Sequence, residues 1–214
     1  MDTSSFDMVY GVVGLKAAGK GRFGHRLASA GFVTMTLSAP MRVIAERQFG
    51  QKYSVADLVK IGNRGRELNG AGYWAGETLL LASQGGQRKL VIDGIRNTGE
   101  IFRLRQLVDH RRLILVGIVA PTVTRFQRAV ARRQAGDPKS LEDFLKMDDT
   151  DRGIGQLENG QQVDRCLAQV KQERIFNNSG SMDEFHSWID TLHTRESMRV
   201  ESDTLSDGFG DTMD

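Results

Sequence analysis

The stretch that decides the fold is residues 8–21, MVYGVVG followed by LKAAGKG. Its first half is an apolar, β-branched run ending in glycine, the composition of a strand buried on both faces of a parallel sheet. Its second half completes G-x-x-x-x-G-K from Gly14 to Lys20, the pattern whose backbone N–H groups wrap phosphate oxygens while its lysine reaches the terminal phosphates. Gly14 and Gly19 let the backbone approach that closely. From residue 20 to 30, Phe23, Leu27 and Ala28 recur at helical spacing, and Gly31 supplies a stop. The seven-residue pattern alone also fits a tight strand-to-helix turn with a solvated lysine. The order strand, glycine loop, helix is what points to phosphate binding.

Outward from this loop the chain keeps alternating. Strands are predicted near residues 32–37, 89–93, 113–119 and, more weakly, 174–177. Helices are predicted within 40–49, 55–68, 74–83, 123–134, 141–147 and 183–192. Such alternation implies a parallel five-stranded sheet with helices on both faces, a three-layer α/β architecture. The helices at 123–134 and 141–147 are interrupted by Gly136-Asp137-Pro138, so a helical lid over about 122–150 is expected. The domain is expected to span 1–193. Residues 194–214 read as an acidic disordered tail, because Ser, Asp and Gly prevail and apolar periodicity is lost.

Composition limits the alternatives. A chain of 214 residues with 39% hydrophobic content supports one sizeable core. The formal charge is +2, but the last fifteen residues hold five acids and no lysine or arginine, leaving the body at +7. That balance suits phosphate-bearing ligands; it also leaves a nucleic-acid partner open. The single Cys166 excludes an intrachain disulfide, and the four histidines show no triad or metal spacing. Neither a signal peptide nor a membrane-length apolar run is present, so no membrane partner is expected and the location is read as cytoplasmic.

Several side chains carry chemistry. The full loop motif wants Ser or Thr after its lysine, to bind Mg²⁺, where this chain has Gly21. Water can replace that hydroxyl, since Mg²⁺ normally keeps several waters. Asp93 ends the predicted third strand, at the carboxyl edge where ligands bind, and can hold the hydrated metal. Arg96 can present a bidentate fork to an acceptor phosphate. Arg125, Arg128, Arg132 and Arg133 share one short helix, suited to a lid that neutralises a transferred phosphoryl group. Each arginine or acid also has a plainer reading as a surface ion pair or solvated face.

Taken together these residues resemble the dephospho-CoA-kinase-like and nucleotide-kinase-like P-loop proteins, including small archaeal and phage (deoxy)nucleoside monophosphate kinases. The likeness spans about residues 8–192. It rests on the glycine loop, LSAPMR at 37–42, IGNRGRE at 61–67, VIDGIRN at 91–97, the 120–145 segment with its arginines and DP, QQVDRC at 161–166 and IFNNSGS at 175–181. It implies a P-loop NTPase fold in which Gly14, Ala17, Ala18, Gly19, Lys20, Gly21 and Arg22 bind ATP. It further implies that Asn178 and Gly180 border the adenine and that Asp93 organises Mg²⁺. By the same resemblance Ser38, Arg42, Arg66 and Arg96 face the acceptor, and Lys20, Arg128, Arg132 and Arg133 act in transfer. Relatives often carry an aspartate shortly after the second strand, where this chain has Ser38-Ala39-Pro40. A phosphate acceptor needs no general base, so this departure points to a nucleoside monophosphate rather than dephospho-CoA. A nucleotide-binding regulator without turnover and a homodimeric assembly are left open.

Overall fold

The computed structural model describes residues 6–133 and 137–208. Five strands, β1 (Met8–Val13), β2 (Val33–Thr36), β3 (Lys89–Ile95), β4 (Leu113–Val119) and β5 (Ile175–Asn177), form one sheet in the order β2-β3-β1-β4-β5, every pair parallel. Nine helices are described: α1 (Lys20–Leu27), α2 (Ala39–Phe49), α3 (Val55–Asn69), α4 (Tyr73–Gln84), α5 (Thr98–Leu107), α6 (Thr122–Arg132), α7 (Leu141–Arg152), α8 (Val163–Leu167) and α9 (Met182–Gly208). This is the P-loop NTPase α/β fold, with helices on both faces of the sheet.

Alternation along the central strand builds both cores. Val9 and Val13 point to one side, among Leu79, Leu104 and Cys166 from α4, α5 and α8. Met8, Tyr10 and Val12 point to the other, among Phe23, Phe185 and Ile189 from α1 and α9. A strand covered on both faces has no polar side, hence the unbroken apolar run of the sequence. Burial pushes the Cys166 thiol up to about 12, leaving it an inert core group.

β1 lies between β3 and β4: the chain leaves β1 for β2 on one side of the sheet and leaves β3 for β4 on the other, so the connections diverge at the neighbouring carboxyl ends of β1 and β3. The carboxyl end of β1 is thus the switch point at which such sheets form their ligand crevice. The glycine loop sits there.

The expected disordered tail requires correction. α9 continues through Gly208 rather than ending near residue 192. Glu196 explains this: it is 2% exposed and receives hydrogen bonds from Arg174, Arg195 and Arg199. Arg199 also donates to the carbonyl of Arg111, 2.7 Å away. These long-range partners hold a segment whose composition gives no apolar stripe. Residues 209–214 lie outside the described residues.

Candidate functional site

The glycine loop is shaped by its neighbours. A Cβ on Gly14 would lie 2.2 Å from the carbonyl oxygen of Ile118, and one on Gly19 would lie 2.3 Å from Asn178 Nδ2, so side chains are excluded at both positions. Ala17 adopts φ 60° and Gly19 φ 118°, the left-handed turns that aim successive N–H groups into one concavity. Among the described residues the amides of Ala17 and Gly19 donate to no backbone carbonyl. α1 then begins with no acidic residue in its first turn. Free amides and the positive end of a helix make an anion site.

Lys20 Nζ donates to the Leu15 carbonyl at 3.2 Å and stands 3.9 Å from Asp93 Oδ1. Burial lowers the lysine from its ordinary value, while the Asp93 carboxylate acts the other way. Asp93 reaches this point from the end of β3, and its Oδ1 is buried without a hydrogen-bond partner. An orphaned carboxylate oxygen beside an anion site fits a hydrated Mg²⁺. No group of three or more His, Cys, Asp or Glu converges among the described residues. Gly21 is exposed, with no atom within 4 Å of where its Cβ would lie.

The field around Lys20 comes from Asp93, Arg96, Asp151 and Arg132. The structure therefore brings together Lys20, Asp93, Arg96 and Arg132 of the sequence candidates. Arg96 is tied into the loop after β3: Glu100, fully buried, accepts the backbone N–H groups of Arg96 and Asn97 and caps α5. Arg66 Nη2 approaches the same Glu100 to 3.5 Å. Ser38 shares a 2.9 Å hydrogen bond with Thr36, and Arg42 and Arg22 are exposed.

The arginine helix is not one uniform lid face. Arg125 is 1% exposed and makes a bidentate ion pair with Asp148 of α7, at 2.5 and 2.6 Å, while Nη1 also donates to the Lys16 carbonyl. It ties α6 to α7 and to the glycine loop. Arg128 donates to the Asn178 carbonyl, with its Nη1 buried and unpartnered. Arg132 forms two 2.8 Å hydrogen bonds with Asp137, which also pairs with Lys16 at 3.1 Å. Arg133 falls beyond the helix in a left-handed turn, φ 50°, and is exposed.

Asn178 is 2% exposed and its amide donates to the Ala18 carbonyl, so it holds the glycine loop from beneath. Gly180 precedes the Ser181–Glu184 cap of α9; a Cβ there would lie 2.2 Å from Glu184 Oε2. Sequence reading missed Asp137, Asp148 and Asp151, whose significance depends on partners in other elements. Two clefts of about 670 and 330 Å³, between α4 and α5 and among α2, α3 and α4, contain none of the loop residues.

No protein-family model matches the sequence. The fold superposes on shikimate kinase from Acinetobacter baumannii with a TM-score of 0.50 and 17% identity, over 89% of this chain and 94% of that one. The chain is 29% identical over 208 residues to UPF0200 protein MK0400 of Methanopyrus kandleri, covering 94% of this chain and 96% of that protein. It is also 30% identical to the UPF0200 protein of Methanoregula boonei, over 88% of this chain and 97% of the relative. With 30% identity over 88% of its length, the chain belongs to the UPF0200 family.

Proposed function

We propose that this chain transfers the γ-phosphoryl group of ATP to a small acceptor that itself carries a phosphate, a (deoxy)nucleoside monophosphate being the first acceptor to test. The observation that carries the reading is Lys20 at the head of an uncapped helix, 3.9 Å from an otherwise unpartnered Asp93. Phosphoryl transfer asks a protein for positioning and charge stabilisation. The loop amides bind the triphosphate, Lys20 leaves the Leu15 carbonyl for the terminal phosphates, and Arg96 anchors the acceptor phosphate. Asp93 would hold Mg²⁺, which when bound neutralises charge between the phosphates. Arg132 completes the site once it exchanges Asp137 for the transferred group.

The test is ADP release with ATP and Mg²⁺ across ribo- and deoxynucleoside monophosphates and dephospho-CoA. Acceptor-dependent turnover that Lys20→Ala lowers by about 10²-fold or more supports the kinase. ATP binding with no transfer to any acceptor favours a second reading, a nucleotide sensor, which Gly21 and the sequestered Arg132 motivate. Among the described residues no helix is long and apolar enough to cross a membrane.

A further inference from the structure

Ser38-Ala39-Pro40 leaves no carboxylate after β2, which is the sequence argument for a phosphate as the attacking group. The structure brings a carboxylate to the crevice from elsewhere. Asp151, in the last turn of α7, is 6% exposed, and its Oδ1 stands 4.0 Å from Arg96 Nη1, beyond hydrogen-bond reach. Among the described residues nothing donates a hydrogen bond to it, although Asp148, one turn earlier, takes two from Arg125. The charges facing it are Arg96 from the loop after β3, Lys20 from α1, Lys16 from the glycine loop and Asp148 from its own helix. Its oxygens are not closed off from solvent and no described protein group donates to them, so beside Arg96 they are open to a ligand hydroxyl. Burial pushes its carboxyl above the usual aspartate range, with Arg96 and Lys20 pulling the other way.

We infer that Asp151 is the catalytic base for an acceptor hydroxyl, so that the oxygen phosphorylated is a hydroxyl on a molecule whose own phosphate is held by Arg96. The inference rests on the phosphotransferase reading above and specifies which oxygen attacks. The hydroxyl oxygen forms the new bond to the γ-phosphorus as the bond to the β,γ-bridging oxygen breaks. That electron pair leaves with ADP, and the hydroxyl proton passes to Asp151 and then to water. An attacking phosphate has no proton that needs a base and would be repelled by the ionised carboxylate.

The full chain is assayed with ATP, Mg²⁺ and acceptors that carry both a phosphate and a hydroxyl, nucleoside monophosphates and dephospho-CoA, and the product is identified by ³¹P NMR. A new phosphomonoester is expected; a phosphoanhydride overturns the inference. Asp151→Asn should lower kcat by about 10²–10⁴-fold while leaving KM for ATP nearly unchanged, and should abolish the acid limb of the kcat profile. Its Tm should match or exceed that of the wild type, because the amide removes a poorly paired buried charge; a purely structural role predicts a fall. Asp151→Glu should recover part of the rate. A kcat for Asp151→Asn within about threefold of wild type, or a loss restored by excess Mg²⁺, overturns the assignment. Turnover with an unaffected Asp151→Asn sinks this step alone, whereas a wild type that binds ATP and phosphorylates nothing sinks the kinase reading with it.

Discussion

The glycine loop between β1 and α1 and the arginine-bearing helix α6 face the same crevice but hold their positive charge by different means. The loop uses backbone amides, whose direction is set by Ala17 and Gly19 in left-handed turns and by the closeness of Ile118 and Asn178. No nearby carboxylate can take them over without dismantling the loop. The helix uses guanidinium groups on flexible stems, and each has found its own partner: Asp148 for Arg125, the Asn178 carbonyl for Arg128, Asp137 for Arg132. A backbone site is preorganised, whereas a side-chain site is exchangeable. The loop accordingly suits ground-state binding, and the helix suits charge delivered late in the reaction.

The sharpest way to break this contrast is through its one permanent member, the Arg125–Asp148 pair. Removing either partner leaves a buried charge alone, so Asp148→Asn or Arg125→Ala should cost about 3–5 kcal/mol in urea unfolding. A paired replacement, Arg125→Met with Asp148→Leu, should recover most of that loss. Because Arg125 also donates to Lys16, the single variants should weaken ATP binding too. If they unfold like wild type, the pair is not what fastens α6 and α7 to the loop.

Lys20→Ala should lower kcat by about 10²–10³-fold, roughly 2.7–4 kcal/mol of transition-state stabilisation. Stability should hold or rise, since a buried cation that burial already holds below its ordinary value is removed. Loss of fold along with activity would mean that the lysine is a structural tie between loop and β3.

Asp137→Asn tests exchangeability directly. The hydrogen bond from Arg132 holds the Asp137 carboxyl well below the ordinary aspartate value, against burial and with help from Lys16. A depressed carboxyl stabilises above its unfolded value of 3.8 and loses that contribution as pH falls toward the folded one. The tie should therefore persist unchanged through neutral pH, and the nucleotide, not a proton, must open it. With the tie weakened, ATP affinity should rise by about two- to tenfold, the worth of a partly exposed ion pair. Calorimetry that finds weaker binding would show Asp137 helping the site rather than blocking it.

The same contrast explains what could be read in advance. The predicted strand at 113–119 coincides with β4, and strand, loop and α1 stand where the pattern puts them, because steric and apolar rules act within a few residues. The arginines of α6 are visible as a periodic set, but their partners Asp137, Asp148 and the Asn178 carbonyl come from other elements, and no spacing rule names them. Asp151 escapes for a related reason. It lies past the last apolar residue of the predicted 141–147 helix, and only the continuation of α7 to Arg152 carries it into the crevice. Likewise, a tail rich in Ser and Asp reads as disordered until Arg174 and the Arg111 carbonyl are found beside α9.

The smallest effect should come from Gly21→Ser, which sharpens the comparison by adding a side-chain ligand to the backbone site. Space is open around Gly21, whereas a Cβ on Gly24, one turn later, would meet Thr34 Oγ1 at 2.2 Å. Replacing an exposed helical glycine should stabilise by about 0.5 kcal/mol, and Gly24→Ser should destabilise, so the pair controls for helix propensity. If the proposed Mg²⁺ is held by Asp93, the new hydroxyl would add a ligand to it, and the Mg²⁺ concentration for half-maximal ATP turnover should fall severalfold, less than about 1 kcal/mol of binding. An unchanged Mg²⁺ requirement in a stabilised Gly21→Ser protein would place the metal out of reach of α1. Asp93 would then serve Lys20 alone, and the carboxylate would belong to the preorganised loop rather than to a metal site.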